Sequence, residues 1–441
     1  MKNRLYEQID NAPLVLFRIF FGFLLACETF GAMATGWVKH NFIDPKFTFS
    51  HIGMDWLQPL PGIGMYFYFG IMGLLGLLIM AGYKYRFSII SFTIMWAAVY
   101  FMQKTSYNNH YYLLVLVSLI MCFLPANTYA SLDARLKPSI KKYSMPKWCS
   151  WVMIAQVSIV YLYATIAKFY PGWLTGTFTY NLLSQSVTTE GFRDIIVTKW
   201  FALFIAYAGI AFDLLVVPLM LFKRTRTIAF FASLIFHIFN SITLKIGIFP
   251  FFALSFALFF FPPDTIRNIF FRKKPKVFLA APQFEGQNII RWFFVPYLII
   301  QFLLPLRHHL IKGDVLWTEE GHRLSWRMML RNRNGSTNFT VKDKSTGNTV
   351  AYDIDKDLTV KQRAVMGTRP DMIWQMAQRI KKQFAAQGKD VAVYAYTTVA
   401  INESSYDTLI DPDTDLATAE WNYFFHCPWI LLNEKTDTNK D

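Results

Sequence analysis

Lys168 carries the clearest chemical promise in this chain. It closes an apolar run in VYLYATIAKFYPGWLTG. An ionisable side chain inside a membrane span, or at its lip, is costly and normally marks a functional site. In apolar surroundings the ammonium form is disfavoured by desolvation, so such a lysine can serve as a base near neutral pH. A second segment, KTSYNNHYYL, puts Asn109 and His110 at the start of another apolar run. His237 and Asn240 lie near the end of a third, in FHIFNSITLKIGIF. Arg18, Glu28 and Asp213 also fall inside apolar runs, where buried ion pairs or hydrogen bonds are their expected role. Plainer roles exist for the others too. A lysine near a span end snorkels, His110 suits an interface, and His237 and Asn240 can join helices by hydrogen bonds.

These residues need elements to position them, and the composition says which. The chain has 441 residues, 54% of them hydrophobic and 18% aromatic, a profile that fits a multi-span membrane protein rather than a soluble one. Apolar runs fall at about 13–34, 62–81, 87–103, 107–125, 150–168, 200–221, 227–243, 246–261 and 290–305, which predicts about nine spans. The first run is long and lacks a clear cleavage site, so it reads as a retained span rather than a signal peptide. The net charge of +15 does not point to nucleic acid, because the cations sit between the apolar runs and set topology instead. Alternate connections carry seventeen lysines and arginines on one side. The other side has only Lys39, Lys46, Lys104, Arg193, Lys199 and Lys245. The rich side is cytoplasmic by the positive-inside rule, together with the N-terminus. An odd span count then sends the C-terminal segment to the non-cytoplasmic side. Lys168, His110, His237 and Asn240 all fall at that same outer end, and their convergence is what favours chemistry over the plainer roles.

From about residue 306 the pattern changes. Alternation appears in RLSWRMMLRNR and in STNFTVKDKSTGNTVAYDI, with STGN as a hairpin turn. PDMIWQMAQRIKKQFAA (370–386) reads as an amphipathic helix and VAVYAYTTVAIN as a strand. The fold class is therefore an α-helical polytopic membrane bundle over 1–305, then a small β-rich, sandwich-like extramembrane domain over 306–432. Residues 433–441 form a tail expected to be disordered. The four cysteines have no metal-ligand spacing and no disulfide framework. Walker A, GxGxxG, HExxH and GxSxG signatures are absent from the sequence. Asn334, Asn338 and Asn402 stand in N-x-S/T triplets, which matter only in a glycosylating host.

At these residues the chain resembles the vitamin K-dependent gamma-glutamyl carboxylase family, with an HTTM-type membrane domain. LFRIFFGFLLACE, KTSYNNHYYL, VYLYATIAKFYPGWLTG, FHIFNSITLKIGIFPFFAL, GHRLSWRMMLRNR and LIDPDTDLATAEWNYFFHCPWILL carry the likeness in order along most of the chain. The resemblance implies that Lys168 is the base that deprotonates vitamin K hydroquinone, or menaquinol. The quinol then reacts with O2, the strong base so formed takes a gamma proton from a glutamate, and the carbanion adds CO2. It further implies that His110, beside Asn109, serves carboxylation, and that Trp326, Met328 and Met329 line a pocket under the extramembrane domain. No metal is implied. The implied partners are the bilayer, a glutamate-bearing protein or peptide on the non-cytoplasmic side, and a quinone-epoxide reductase. That side is the periplasmic face of a bacterial inner membrane, or the lumen in a eukaryote; the compact length resembles a bacterial homologue. The animal enzymes have tryptophan at Tyr107, an aromatic phenol at His322 and a small polar residue at Lys245, departures that bear on the substrate pocket. They also continue into a further large lumenal region, which puts propeptide-guided modification in doubt. Two other readings stay open: a quinol epoxidase without carboxylation, and a non-catalytic quinone- or lipid-binding membrane protein.

Overall fold

The computed structural model describes residues 2–186, 193–194, 196–244, 247–277, 285–327, 331–402 and 404–433. The chain divides into two compact units. One comprises residues 1–37, 66–98 and 110–302, and the other residues 38–65, 99–109 and 303–441.

The first unit is helical. Its main helices are α1 (Ala12–Ala34), α2 (Gly64–Ala81), α3 (Tyr85–Met102), α4 (Asn109–Met121), α5 (Trp148–Ile166), α6 (Lys199–Leu221), α7 (Arg226–Leu244), α8 (Phe249–Ser255), α9 (Pro263–Phe270) and α10 (Val295–Leu303). All nine expected apolar runs are helical. Among the described residues, seven helices are long and apolar enough to cross a membrane, the last of them running from Gln287 to His309 through α10. An eighth crossing is reached if Phe249–Phe259 and Pro263–Phe270, bent by 116° to one another, form one broken span. The bend falls at Pro262 and Pro263, which remove backbone donors and end a helix. α4 is apolar but short. At this lipid-facing scale only helices keep the backbone hydrogen-bonded, which is why runs of such uniform hydropathy take this form.

Close packing in this unit depends on missing side chains. A Cβ at Gly22 would sit 2.3 Å from the backbone nitrogen of Met80, and one at Gly76 would sit 2.7 Å from that of Ala26. Small residues let α1 and α2 approach backbone to backbone, a common device where lipid supplies no hydrophobic drive. Arg18 is fully buried and donates to the carbonyls of Ala126, Tyr129 and Ala130. Glu28 accepts from Tyr111. Both therefore have hydrogen-bonding roles, as their positions inside spans predict. The two short strands β1 (Gln8–Asp10) and β2 (Ser144–Pro146) pair antiparallel at the N-terminal end of α1.

The second unit is built on an antiparallel sheet of β3 (Arg333–Asp343), β4 (Thr349–Tyr352) and β5 (Val391–Ile401), in the order β4-β3-β5. β3 and β4 form the expected hairpin, with Gly347 of STGN at φ +74°, a conformation that favours glycine. β3 pairs with β5 along its whole length, from Arg333↔Ile401 to Asp343↔Val391. α11 (Val360–Met366) starts at a Thr359/Gln362 capping box. α12 (Pro370–Ala385) is the expected amphipathic helix, with Pro370 at its start and Asp371 in its first turn. Where a sandwich has a second sheet, this unit has α12: its Met372, Ile373, Met376, Ala377 and Ile380 share one core with Phe339, Val341, Val393, Ala395 and Val399 of the sheet. RLSWRMMLRNR begins as turns through Trp326 rather than as a strand, and the sheet starts only at Arg333. Leu324 and Trp326 have positive φ there, so the alternation of that stretch does not place its side chains on two faces of a sheet. The tail from 434 onward lies outside the described residues.

Candidate functional site

Lys168 follows α5 by two residues. Its ammonium donates to the carbonyl of Ala164 at 3.2 Å and forms an ion pair with Asp213 of α6. Both side chains are buried, at 6% and 3% exposure. Burying one charge would be prohibitive, whereas a hydrogen-bonded pair is tolerable. The Lys168 nitrogen also stands 5.4 Å from the centre of the Trp173 ring, and Trp173 is fixed by its indole N–H on the carbonyl of Ala206. Lysine, indole and aspartate therefore come from the end of α5, the short helix Pro171–Leu174 and α6, and α6 packs against both of the others.

Two turns before Lys168, on the same side of the chain's helical path, Tyr161 hydrogen-bonds His237 Nε2 of α7 at 3.0 Å. His237 is buried, and among the described residues its Nδ1 has no hydrogen-bond partner. The ring of Phe212, next to Asp213, stands 5.9 Å from those of both Tyr161 and His237. Phe249 at the start of α8 continues the wall. It lies 6.2 Å from His237 and is stacked on His110 at 4.0 Å. Lys168, His237 and His110 are thus linked through Asp213, Tyr161, Phe212 and Phe249. Asn240 is half-buried one turn beyond His237 on α7. Tyr161 also lines a cavity of about 20 Å³, together with Val157, Val216, Met220, Ser233 and Phe256 among others, room for one molecule the size of water.

Asn109 and Trp326 belong to the second unit. The Asn109 amide donates to the carbonyl of Arg327 at 2.5 Å and accepts from the Tyr107 hydroxyl at 3.0 Å. That hydroxyl also accepts from the backbone nitrogen of Leu324 at 2.9 Å. His322 is fully buried, with its ring 6.3 Å from that of Tyr107. Burial, followed by the surrounding arginines, pushes the imidazole of His322 well below its ordinary value and keeps it neutral. Trp326 is buried at 1% exposure. Glu319, Leu324 and Trp326 all have positive φ, between 57° and 63°, uncommon for residues with a side chain and frequent at functional sites. Met328, Met329 and Lys245 lie outside the described residues.

Sequence reasoning named Asp213 but did not join it to Lys168, and it missed Tyr161 and Phe249. The seven-residue spacing of Tyr161 and Lys168 was the available signal for the first. Among the described residues no group of three or more His, Cys, Asp and Glu could hold a metal ion. What the first unit does offer is a buried amine with an ion-paired carboxylate, set in an aromatic wall that also carries a histidine with an unfilled position.

Comparison with known proteins adds two matches. The family model of the HTTM domain matches residues 6–265, more than half of the chain. The family model described as the lumenal domain of vitamin K-dependent gamma-carboxylase matches residues 286–436. No solved structure matches this chain.

Proposed function

Since the chain belongs to the vitamin K-dependent gamma-carboxylase family, we propose that it carboxylates glutamate of a protein or peptide at the expense of a vitamin K-type hydroquinone, O2 and CO2. The observation that carries this reading is the buried Lys168–Asp213 pair beside His237. The residues fit such a quinol. Its ring calls for aromatic and apolar walls, which Trp173, Phe212 and Phe249 supply, and its hydroxyls call for polar atoms in reach of a dry surface, which Lys168 and the unfilled Nδ1 of His237 supply. When bound, the reduced vitamin and O2 supply the strong base that no side chain has at neutral pH.

The chain's own residues then divide the work. Transfer of one proton from Lys168 to Asp213 leaves a neutral amine in a dry wall. That amine takes the hydroxyl proton of the quinol, and the new ammonium faces the anion it has made, with Trp173 and Ala164 holding it in place. Tyr161 fixes the His237 ring, so the free Nδ1 keeps one orientation toward its ligand. His110, stacked on Phe249, is assigned to the carboxylation half. Asn109, Asn240, Trp326, Met328 and Met329 are assigned to substrate and quinone binding. The substrate reaches the site from the non-cytoplasmic side, with the N-terminus cytoplasmic, and a quinone-epoxide reductase returns the oxidised vitamin.

The test uses full-length protein in detergent with reduced vitamin K or menaquinol, O2, labelled bicarbonate and a short Glu peptide. Epoxide and peptide-bound label together support the proposal. Epoxide without label across several Glu peptides identifies a quinol epoxidase instead. Neither product from folded protein overturns an enzymatic role.

A further inference from the structure

α1 carries two charged side chains, Arg18 and Glu28. Three backbone carbonyls account for Arg18. Glu28 has no part in the chemistry described so far, and a carboxyl group inside an apolar span is costly enough to mark a function. Its partner is Tyr111 of α4, whose hydroxyl donates to the carboxylate. The rest of Tyr111 is held as well. Its ring meets Trp96 edge-on at 5.1 Å and Trp37 at 5.9 Å, and its carbonyl accepts from the Trp96 indole N–H at 3.3 Å. Trp96 is itself fully buried. Successive side chains of a helix point about 100° apart, so whatever fixes the direction of Tyr111 also fixes that of His110 before it.

Glu28 has a second contact on the far side of His110. The His110 ring is stacked on Phe249 at 4.0 Å. Two residues before Phe249 the chain passes Glu28 at Gly247, which has φ +60°, and a Cβ there would lie 3.6 Å from the Glu28 Oε2. One carboxylate therefore lies against the chain neighbours of both members of the stack, Tyr111 beside His110 and Gly247 before Phe249. A stacked ring can still slide and turn in its own plane. A directional hydrogen bond on the helix that carries it removes that freedom, and bonds to an ionised carboxylate are the short, strong ones.

We propose that Glu28 is a positioning residue for His110, gripping the start of α4 through Tyr111 and the turn before α8 through Gly247, and that this grip couples carboxylation to quinol oxidation. The effect on products rests on the function proposed above; the grip on His110 does not. Neither contact of Glu28 reaches the Lys168–Asp213 pair, so loss of the grip should spare quinol oxidation. A residue that only joined helices would act differently, lowering stability and both products in proportion.

The test has two readouts on full-length protein in detergent. The first needs no quinol: the NMR signals of histidines labelled with carbon-13 in the ring, with that of His110 assigned by its loss in His110→Gln. The His110 signal should move in Glu28→Ala and in Tyr111→Phe. It should return to the wild-type position in Glu28→Gln, whose amide oxygen still accepts from Tyr111. The second is the ratio of peptide-bound label to epoxide. Misplacing a reacting group by about 1 Å can cost about 100-fold, so Glu28→Ala should lower this ratio by about tenfold or more while epoxide formation stays within about threefold of the wild type. Glu28→Gln should recover most of the ratio. If Glu28→Ala does not fold, Tyr111→Phe is read in its place. A folded variant that leaves the His110 signal unmoved overturns the inference. So does one that moves the signal while the ratio stays at the wild-type value. Wild-type protein that fixes no label sinks the proposed carboxylation, and the His110 signal then decides the positioning by itself.

Discussion

Replacing Asp213 with asparagine removes the carboxylate from Lys168 and leaves its shape. The pair is buried on both sides, at 6% and 3% exposure, so solvent cannot take over the lost contact. Breaking a buried pair by removing one partner costs about 3–5 kcal/mol. Two interactions remain, the bond to the Ala164 carbonyl and the contact with the Trp173 ring, and a desolvated cation on an aromatic face keeps about 2 kcal/mol at most. A net loss of about 1–3 kcal/mol, taken from the transition state for quinol deprotonation, slows the reaction by about 5- to 150-fold. The assay is the initial rate of epoxide formation, read beside thermal unfolding in the same detergent. The double variant Lys168→Met/Asp213→Leu separates catalysis from stability. Apolar replacement of a buried pair is often neutral for folding, so its unfolding temperature should return toward that of the wild type while epoxide formation stays absent. An Asp213→Asn protein with a wild-type rate and unfolding temperature would refute the reasoning.

Other outcomes are expected. Tyr161→Phe strands the buried His237 Nε2, which should cost about 1–3 kcal/mol and lower the rate of quinol oxidation more than quinol binding, as steady-state kinetics will show. His110→Ala should lose fixed label and keep epoxide formation, a split visible in the two products of one reaction. Gly76→Leu drives a side chain into the backbone of Ala26, so the yield of folded, monodisperse protein should collapse in size-exclusion chromatography. Asp371 sets the acid limit of the second unit. Burial alone would raise its carboxyl, but Arg323 and Lys104 outweigh that and hold it well below its ordinary 3.8. The unfolded chain therefore binds the proton first as the pH falls, and the contribution is complete above about 3.8 and shrinks progressively below it. Unfolding temperatures between about pH 5 and pH 2 should fall less steeply in Asp371→Asn than in the wild type.

The helical elements were legible because lipid enforces one rule over twenty residues at a time: each apolar run is a helix, down to the short α4 and the bent α8–α9. The hairpin at STGN, α12 and β5 were equally legible from local turn and period signals. What stayed hidden was long-range. Lys168 and Asp213 are 45 positions apart, and nothing in either segment says that they face one another. The segments 38–65 and 99–109 are read from the sequence only as span ends and the connections between them, yet Phe49 enters the core of the second unit and Lys104 pairs with Asp371. Lys104 in the sequence is one more cation beside a span; burial first, with Arg323 beside it, outweighs the Asp371 carboxylate and lowers it to about 8. RLSWRMMLRNR misled for a related reason. Its alternation imitates a strand, whereas Leu324 and Trp326 sit in left-handed conformations that local propensity disfavours and only the surrounding packing can impose.

The central claim is that Lys168 starts a quinol oxidation whose energy fixes CO2. The most direct measurement is therefore epoxide and peptide-bound label quantified in the same reaction, for the wild type and for Lys168→Ala of matched unfolding temperature. The account predicts both products, in equal amounts, from the wild type and neither from the variant. A folded Lys168→Ala protein that still forms both at the wild-type rate would contradict it.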